Sequence, residues 1–185
     1  MTRTLNRLPL ALGALVSAAA LAGCSSMAGS ASSNPTGIDP IEQRPSADAS
    51  VDPESGAWLV PLTRGGEFET TQNGLTVTIV CDGGGDVDID ANDVVATIVG
   101  NCEEIEVDGS NNIVSAENAE EIDVDGANNE ITAGDVVEIE VEGTGNVITT
   151  TSAIEIEAEG SGNTVRFGSG SPTIDDEGSN DISAE

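Results

Sequence analysis

Carboxylates recur at a fixed interval through the second half of the chain. Glu104, Glu121, Glu138 and Glu155 lie seventeen residues apart, as do Glu106, Asp123, Glu140 and Glu157, and again Asp108, Asp125, Glu142 and Glu159. Carboxylates in such sets support two kinds of chemistry. Held in pairs they exchange protons, as in glycoside hydrolysis; held in clusters they ligate hard cations, Ca²⁺ above all, which takes many oxygens in loose geometry. General acid–base work needs a group whose pKa sits near the working pH, commonly tuned by a basic neighbour. The chain has no His, Lys or Tyr, and its five cations are Arg3, Arg7, Arg44, Arg64 and Arg166. Nothing sets any two acids apart from the rest of the 34, so no catalytic residue is assigned and the chain reads as a non-enzyme, with a carbohydrate-active enzyme as the minor alternative. The twelve repeated acids stand as candidate cation ligands. Asp86-x-Asp88-x-Asp90 lacks the following Gly and the closing Glu of an EF-hand, and Gly83-Gly84-Gly85-Asp86 does not reproduce the Gly-Gly-x-Gly-x-Asp repeat. The competing role for the rows is a solvated, self-repelling surface that keeps a β-rich protein soluble.

The elements that must position these acids follow from the same interval. Residues 103–170 are four copies of one unit: EEIEVDGSNNIVSAENA, EEIDVDGANNEITAGDV, VEIEVEGTGNVITTTSA and IEIEAEGSGNTVRFGSG. Ile105, Ile122, Ile139 and Ile156 share one column, Gly109, Gly126, Gly143 and Gly160 a second, and Asn112, Asn129, Asn146 and Asn163 a third. So short a period marks a solenoid, whose units bury their apolar faces only against their neighbours. In Glu104-Ile105-Glu106-Val107-Asp108 the alternation turns Ile and Val inward and three acids outward. A second run, Val114-Ser115-Ala116, repeats the pattern beyond a Gly that breaks the strand. The expected fold is all-β: a parallel, right-handed β-solenoid of about seven short rungs of roughly 17 residues, with stacked Asn amides paired along one corner.

Upstream, Phe68, Asn73, Leu75 and Val77 align with Val107, Asn112, Val114 and Ala116, and Val87, Ile89, Ala96 and Ile98 fill the inward set of the next rung. The solenoid is placed at 67–185. Residues 56–66, with Ala57-Trp58-Leu59-Val60-Pro61-Leu62, are read as an N-terminal cap, and Asp175 and Asp176 as a polar stop at the far end.

Residues 1–23 read as a bacterial secretory signal: Arg3 and Arg7, then an apolar run from Leu8 to Leu21. Leu21-Ala22-Gly23-Cys24 resembles the lipobox of bacterial lipoproteins, which implies cleavage before Cys24 and a lipid on its thiol. The expected location is the extracytoplasmic face of the cell membrane. Residues 24–55, rich in Ser, Pro, Ala, Gly and Asp, read as a flexible tether about 30 Å in reach. The full chain carries a formal charge of −29, and loss of the signal leaves three Arg against 34 acids. That excess excludes nucleic acid and anionic headgroups as partners and favours a cationic wall component, a peptide or a divalent cation.

Export also bears on Cys81 and Cys102, since an oxidising compartment favours a bridged pair. Cys102 heads a column of small or apolar residues, Ala119, Val136, Ala153 and Gly170, and Cys81 falls one rung earlier. Stacked positions about 4.8 Å apart lie within the Cα range a disulfide accepts. The segment CDGGG at Cys81, Gly-Asn-Cys at 100–102 and the repeated V-x-G-x-x-N-x-[VI] units together resemble an actinobacterial lipoprotein family known as a domain of unknown function, number three-thousand-and-sixty in its series, over about residues 66–170. The resemblance implies an exported, anchored β-solenoid and carries no activity with it. The reading is therefore a lipid-anchored structural or interaction module, with a surface module for Ca²⁺ or another cation as the alternative and the oligomeric state open.

Overall fold

Each unit supplies two short runs of β-branched residues in alternation, and each run becomes a strand paired in parallel with its copies one turn away. The computed structural model describes residues 49–54 and 56–185; the signal segment, Cys24 and most of the tether lie outside them. The strands coil into a β-solenoid with two long faces. The first face stacks β2 (Trp58–Thr63), β4 (Thr76–Asp82), the leading halves of β6 (Val95–Glu106), β7 (Ile113–Val124) and β8 (Glu130–Val141), then β9 (Val147–Ser152), β11 (Ser161–Ser169) and β13 (Ser179–Ala184). The second stacks β3 (Glu67–Thr70), β5 (Asp86–Ile89), the trailing halves of β6, β7 and β8, then β10 (Glu155–Ala158) and β12 (Thr173–Asp176). Isolated bridges linking Ser110, Ala127, Thr144 and Ser161 close each turn.

The core is a set of columns. Ile105, Ile122, Ile139 and Ile156 are fully buried, as are Val107, Val124 and Val141. From the other side come Val77, Ala96, Val114, Ile131, Ile148 and Val165. Each buried Ile or Val contributes about 1.5–3 kcal/mol relative to exposure.

The Asn column is satisfied differently from a simple amide stack. Asn112 N donates to Asn129 Oδ1 (2.8 Å), Asn129 N to Asn146 Oδ1 (2.9 Å), and Asn146 N to Asn163 Oδ1 (2.9 Å). Each Nδ2 turns back to a main-chain carbonyl: Asn129 to Gly109, Asn146 to Gly126 and Asn163 to Gly143, at 2.9, 3.0 and 3.0 Å. Side-chain amides meet only toward the end of the row, as from Asn146 Nδ2 to Asn163 Oδ1 (3.2 Å). The side chain thus replaces strand pairing where the backbone bends, and four of these Asn are buried.

The Gly column serves the same corner: it falls just past the end of each second-face strand, as its place in the unit suggests, and the requirement for Gly comes from a close approach of backbone. A Cβ on Gly126 would overlap the carbonyl oxygen of Gly109, and one on Gly143 that of Gly126. The left-handed residue of the turn is another one, just before the buried Asn: Asn111 (φ 59°), Asn128 (φ 56°), Gly145 (φ 71°) and Gly162 (φ 72°). Asn and Gly are the residues that tolerate this conformation best.

Toward the N-terminus the register departs from expectation. Phe68 pairs with Val87 and Val87 with Ile105, so Phe68 sits in the Ile105 column and not that of Val107. Val77 pairs with Ala96 and Ala96 with Val114, not with Ala116. Asn73 accepts from Asn92 N (2.8 Å), which places it in a different column from Asn112. A slip of two residues keeps every side chain on its own face, so alternation alone cannot expose it. Trp58–Thr63 pairs in parallel with β4 as the terminal strand of the stack, and the two-residue β1 (Ser50–Val51) lies antiparallel along its outer edge. At the other end Asp175 pairs with Glu157 and prolongs an outward row, whereas Asp176 takes the inward place of Ala158 and accepts from Gly178 N and Asn180 Nδ2.

Cys81 and Cys102 are joined in a disulfide with Cα atoms 5.3 Å apart. Cys102 heads the column continued by Ala119 and Val136. Cys81 itself pairs with Gly100, and the irregularity between Ile98 and Asn101, with Gly100 at φ 97°, brings Cys102 alongside it.

Candidate functional site

The outward positions of the second face hold the acids. Strand pairing places Glu104, Glu121, Glu138 and Glu155 in one row, and Glu106, Asp123, Glu140 and Glu157 in the next. Both rows run further than the four regular units: Glu67 and Asp86 precede the first, Glu69 and Asp88 precede the second, and Asp175 follows it. Asp108, Asp125, Glu142 and Glu159 form the third row where each unit leaves the strand, with Glu159 N bonded to Val141 O (3.0 Å). All twelve repeated acids are therefore brought onto one surface.

Stacking at about 4.8 Å sets like charges against each other at roughly 0.9 kcal/mol per pair in water and several times that at a surface. The carboxyls answer by holding their protons. Asp123 is raised to about 7, first by burial and then by Asp125 and Glu140. Asp88 is raised to about 7, first by burial and then by Asp90 and Glu106. Burial followed by neighbouring acids also raises Glu106, Asp108, Glu121 and Glu157, while Glu142 is raised chiefly by Asp125 and then Glu159. Oδ1 of Asp88 and Oδ1 of Asp123 are the buried side-chain oxygens, among the described residues, that lack a hydrogen-bond partner.

At the N-terminal end of this face Glu69, Asp88 and Asp90 converge, each offering a carboxylate oxygen within 4.8 Å of the others. These three could together hold a cation such as Ca²⁺, which accepts monodentate carboxylates in flexible geometry. Asp88 lies in β5 and Asp90 just past its end, and Glu69 reaches them through the pairing of β3 with β5. The Phe68-to-Val107 alignment sets Glu69 beside Asp90; strand pairing sets it beside Asp88, with Asp90 two residues on.

A groove of about 380 Å³ lies at the opposite corner, beside the disulfide, lined by Arg64, Gly83, Gly84, Asn101, Cys102, Glu103, Asn118, Ala119, Glu120 and Asp135. Glu103 is occupied there, 3.6 Å from Arg64 Nε and accepting from Gly65 N (3.2 Å) and Gly85 N (3.3 Å). It ties two loops together.

Residues 89–136 and 124–180 match the family model described as Protein of unknown function (DUF3060). The two DUF3060 matches overlap, as an internally repeated domain allows. They begin at Ile89 and leave out the irregular first turn, in which Phe68 stacks on Val87. No curated protein and no solved structure matches the chain.

Proposed function

We propose that the protein is a lipid-anchored, extracytoplasmic β-solenoid that acts as a structural or interaction module without catalysis, offering its acidic face to a cationic wall component or peptide. The observation that carries the reading is the segregation of three carboxylate rows onto one rigid face. Rigidity removes the ordering cost a flexible acidic tail would meet on binding. The anchor rests on the lipobox-like string ending at Cys24. Two measurements on the full chain test the proposal. Cys24→Ala should shift the protein out of the membrane fraction or stall its processing; unchanged fractionation refutes the anchor. A Lys-rich peptide titrated by calorimetry should bind in a salt-suppressed manner, and binding undiminished when Glu121, Asp123 and Glu138 are all changed to Gln or Asn refutes the role of the face.

A second reading is favoured by one specific place. Glu69, Asp88 and Asp90, with the unpartnered Asp88 Oδ1 between two other acids, form a cation site for Ca²⁺. Micromolar Ca²⁺ uptake at one or a few sites, lost in Asp88→Asn, supports it; weak uptake that salt abolishes leaves only a diffuse ion atmosphere.

A further inference from the structure

The outer surface of the first face has the opposite character from the second. Its central column runs Leu59, Thr78, Thr97, Ser115, Thr132, Thr149, Arg166 and Ser183, with a hydroxyl on five consecutive rungs from Thr78 to Thr149. Leu59, at its head, and Val95, Val99, Ile113 and Val147, which flank it, are between 37% and 51% exposed. Five of the nine exposed large hydrophobic side chains among the described residues thus lie on this one face. Its formal charges are Asp82, Glu117, Glu130, Asp135, Arg166 and Asp181: Glu117 accepts from Gly100 N (2.9 Å), Asp135 from Ser152 Oγ (2.8 Å), and Arg166 is paired with Asp181 at 2.8 Å, which leaves Asp82 and Glu130.

We infer that this Thr/Val face is a self-association surface on which a second copy of the chain packs, sheet against sheet. Charge selects the occupant's orientation. Two copies meeting through the second face would oppose full rows of carboxylates, whereas meeting through the first keeps those rows on the outside, separated by two sheets. Area is sufficient. Eight strands at about 4.8 Å spacing and six residues at about 3.3 Å give a flat face of roughly 700 Å² per copy, so about 1,400 Å² in total, within the range of stable interfaces. The side chains suit docking, because β-branched residues in strands have already lost most of their rotamer freedom. Stacked sheets pack about 10 Å apart with such residues interdigitated. End-to-end stacking is hindered where β1 pairs with Trp58 and Leu59 of β2 and where Asp176 replaces an inward apolar residue.

Sedimentation equilibrium of the full chain, purified in density-matched detergent, tests this independently of the anchor and of the acidic face. The wild-type chain should sediment at twice its own polypeptide mass. Ile113→Asp with Thr132→Asp should return it to a single copy with at least a tenfold weaker association. A charge-matched control at the third side, Ser110→Asp with Thr144→Asp, should remain a dimer. Circular dichroism establishes that each variant is folded, and Val147→Asp takes the place of the double variant if that one is not. A wild-type monomer at 100-fold the working concentration, a dimer indifferent to the face substitutions, one dispersed equally by the control, or a different polypeptide seated on the face would each overturn the inference.

Discussion

Neutralising Asp123 should make the protein more stable, and more so at higher pH. Its carboxyl stands between Glu106 and Glu140 in its row and beside Asp125 and Glu121, with Oδ1 buried and unpartnered. The native pKa of about 7 exceeds the ordinary aspartate value of 3.8, so the folded state binds more protons between those limits. Stability from this group is therefore present at low pH and lost as pH rises toward 7 and beyond. A displacement of that size corresponds to at most about 4 kcal/mol. Partial solvent access and screening reduce it to about 2 kcal/mol. Asp123→Asn keeps the shape and removes the charge, so it should stabilise by about 2 kcal/mol at pH 8, a rise of roughly 8 °C in Tm. At pH 5, where the native carboxyl is already protonated, the gain should fall below about 1 kcal/mol. Lower pH is unsuitable because the sequence pI is near 4.1. Thermal unfolding at low ionic strength without divalent ions, followed by circular dichroism or by the single Trp, Trp58, measures both values. An Asn variant no more stable than wild type at pH 8, or offset equally at the two pH values, would refute the stacked-charge account.

Three further outcomes follow from the corner and the bridge. Gly126→Ala drives a Cβ into the Gly109 carbonyl and should cost more than about 3 kcal/mol, whereas Gly162→Ala, at positive φ but with open space around it, should cost about 1 kcal/mol; urea unfolding ranks them, and equal losses would contradict the close approach. Asn146→Leu strands the Asn129 N–H in the interior and leaves the Gly126 carbonyl with Thr144 N as its remaining donor, which should cost about 1–3 kcal/mol by the same assay. Changing Cys81 and Cys102 to Ser opens a loop of 21 residues and should cost about 3 kcal/mol; reductant should lower the melting temperature of the wild type and leave the double variant unmoved.

Where the unit length is constant, the chain could be read almost residue by residue. Ile105, Ile122, Ile139 and Ile156 announce their column, and the acid rows follow because alternation fixes which side faces water. Legibility ends where physics is blind to the error. Phe68 fits the Val107 column as well as the Ile105 column by hydropathy, since both point inward. Only the ladder distinguishes them, and it moves Glu69 from beside Asp90 to beside Asp88. The role of Gly109 and its copies was hidden for another reason: a glycine required by a neighbouring carbonyl looks the same in sequence as one required by a turn. Cys81 and Cys102 illustrate both sides, for the pair is evident, while its dependence on the kink at Gly100 belongs to the third dimension.

A coil yields to force from its ends, one turn at a time, and the disulfide changes how this coil would unspool. Tension applied from the side of Ser50 strips β1, β2 and β3 first, then reaches Cys81 in β4. There the load crosses the S–S bond directly to Cys102 in β6, and the residues between them bear none of it. That stretch is hidden length: it adds nothing to the extension until the bond is reduced. Pulled from its leading end, the protein should therefore give a short first step under oxidising conditions and a longer one under reducing conditions, a mechanical fuse whose setting is chemical.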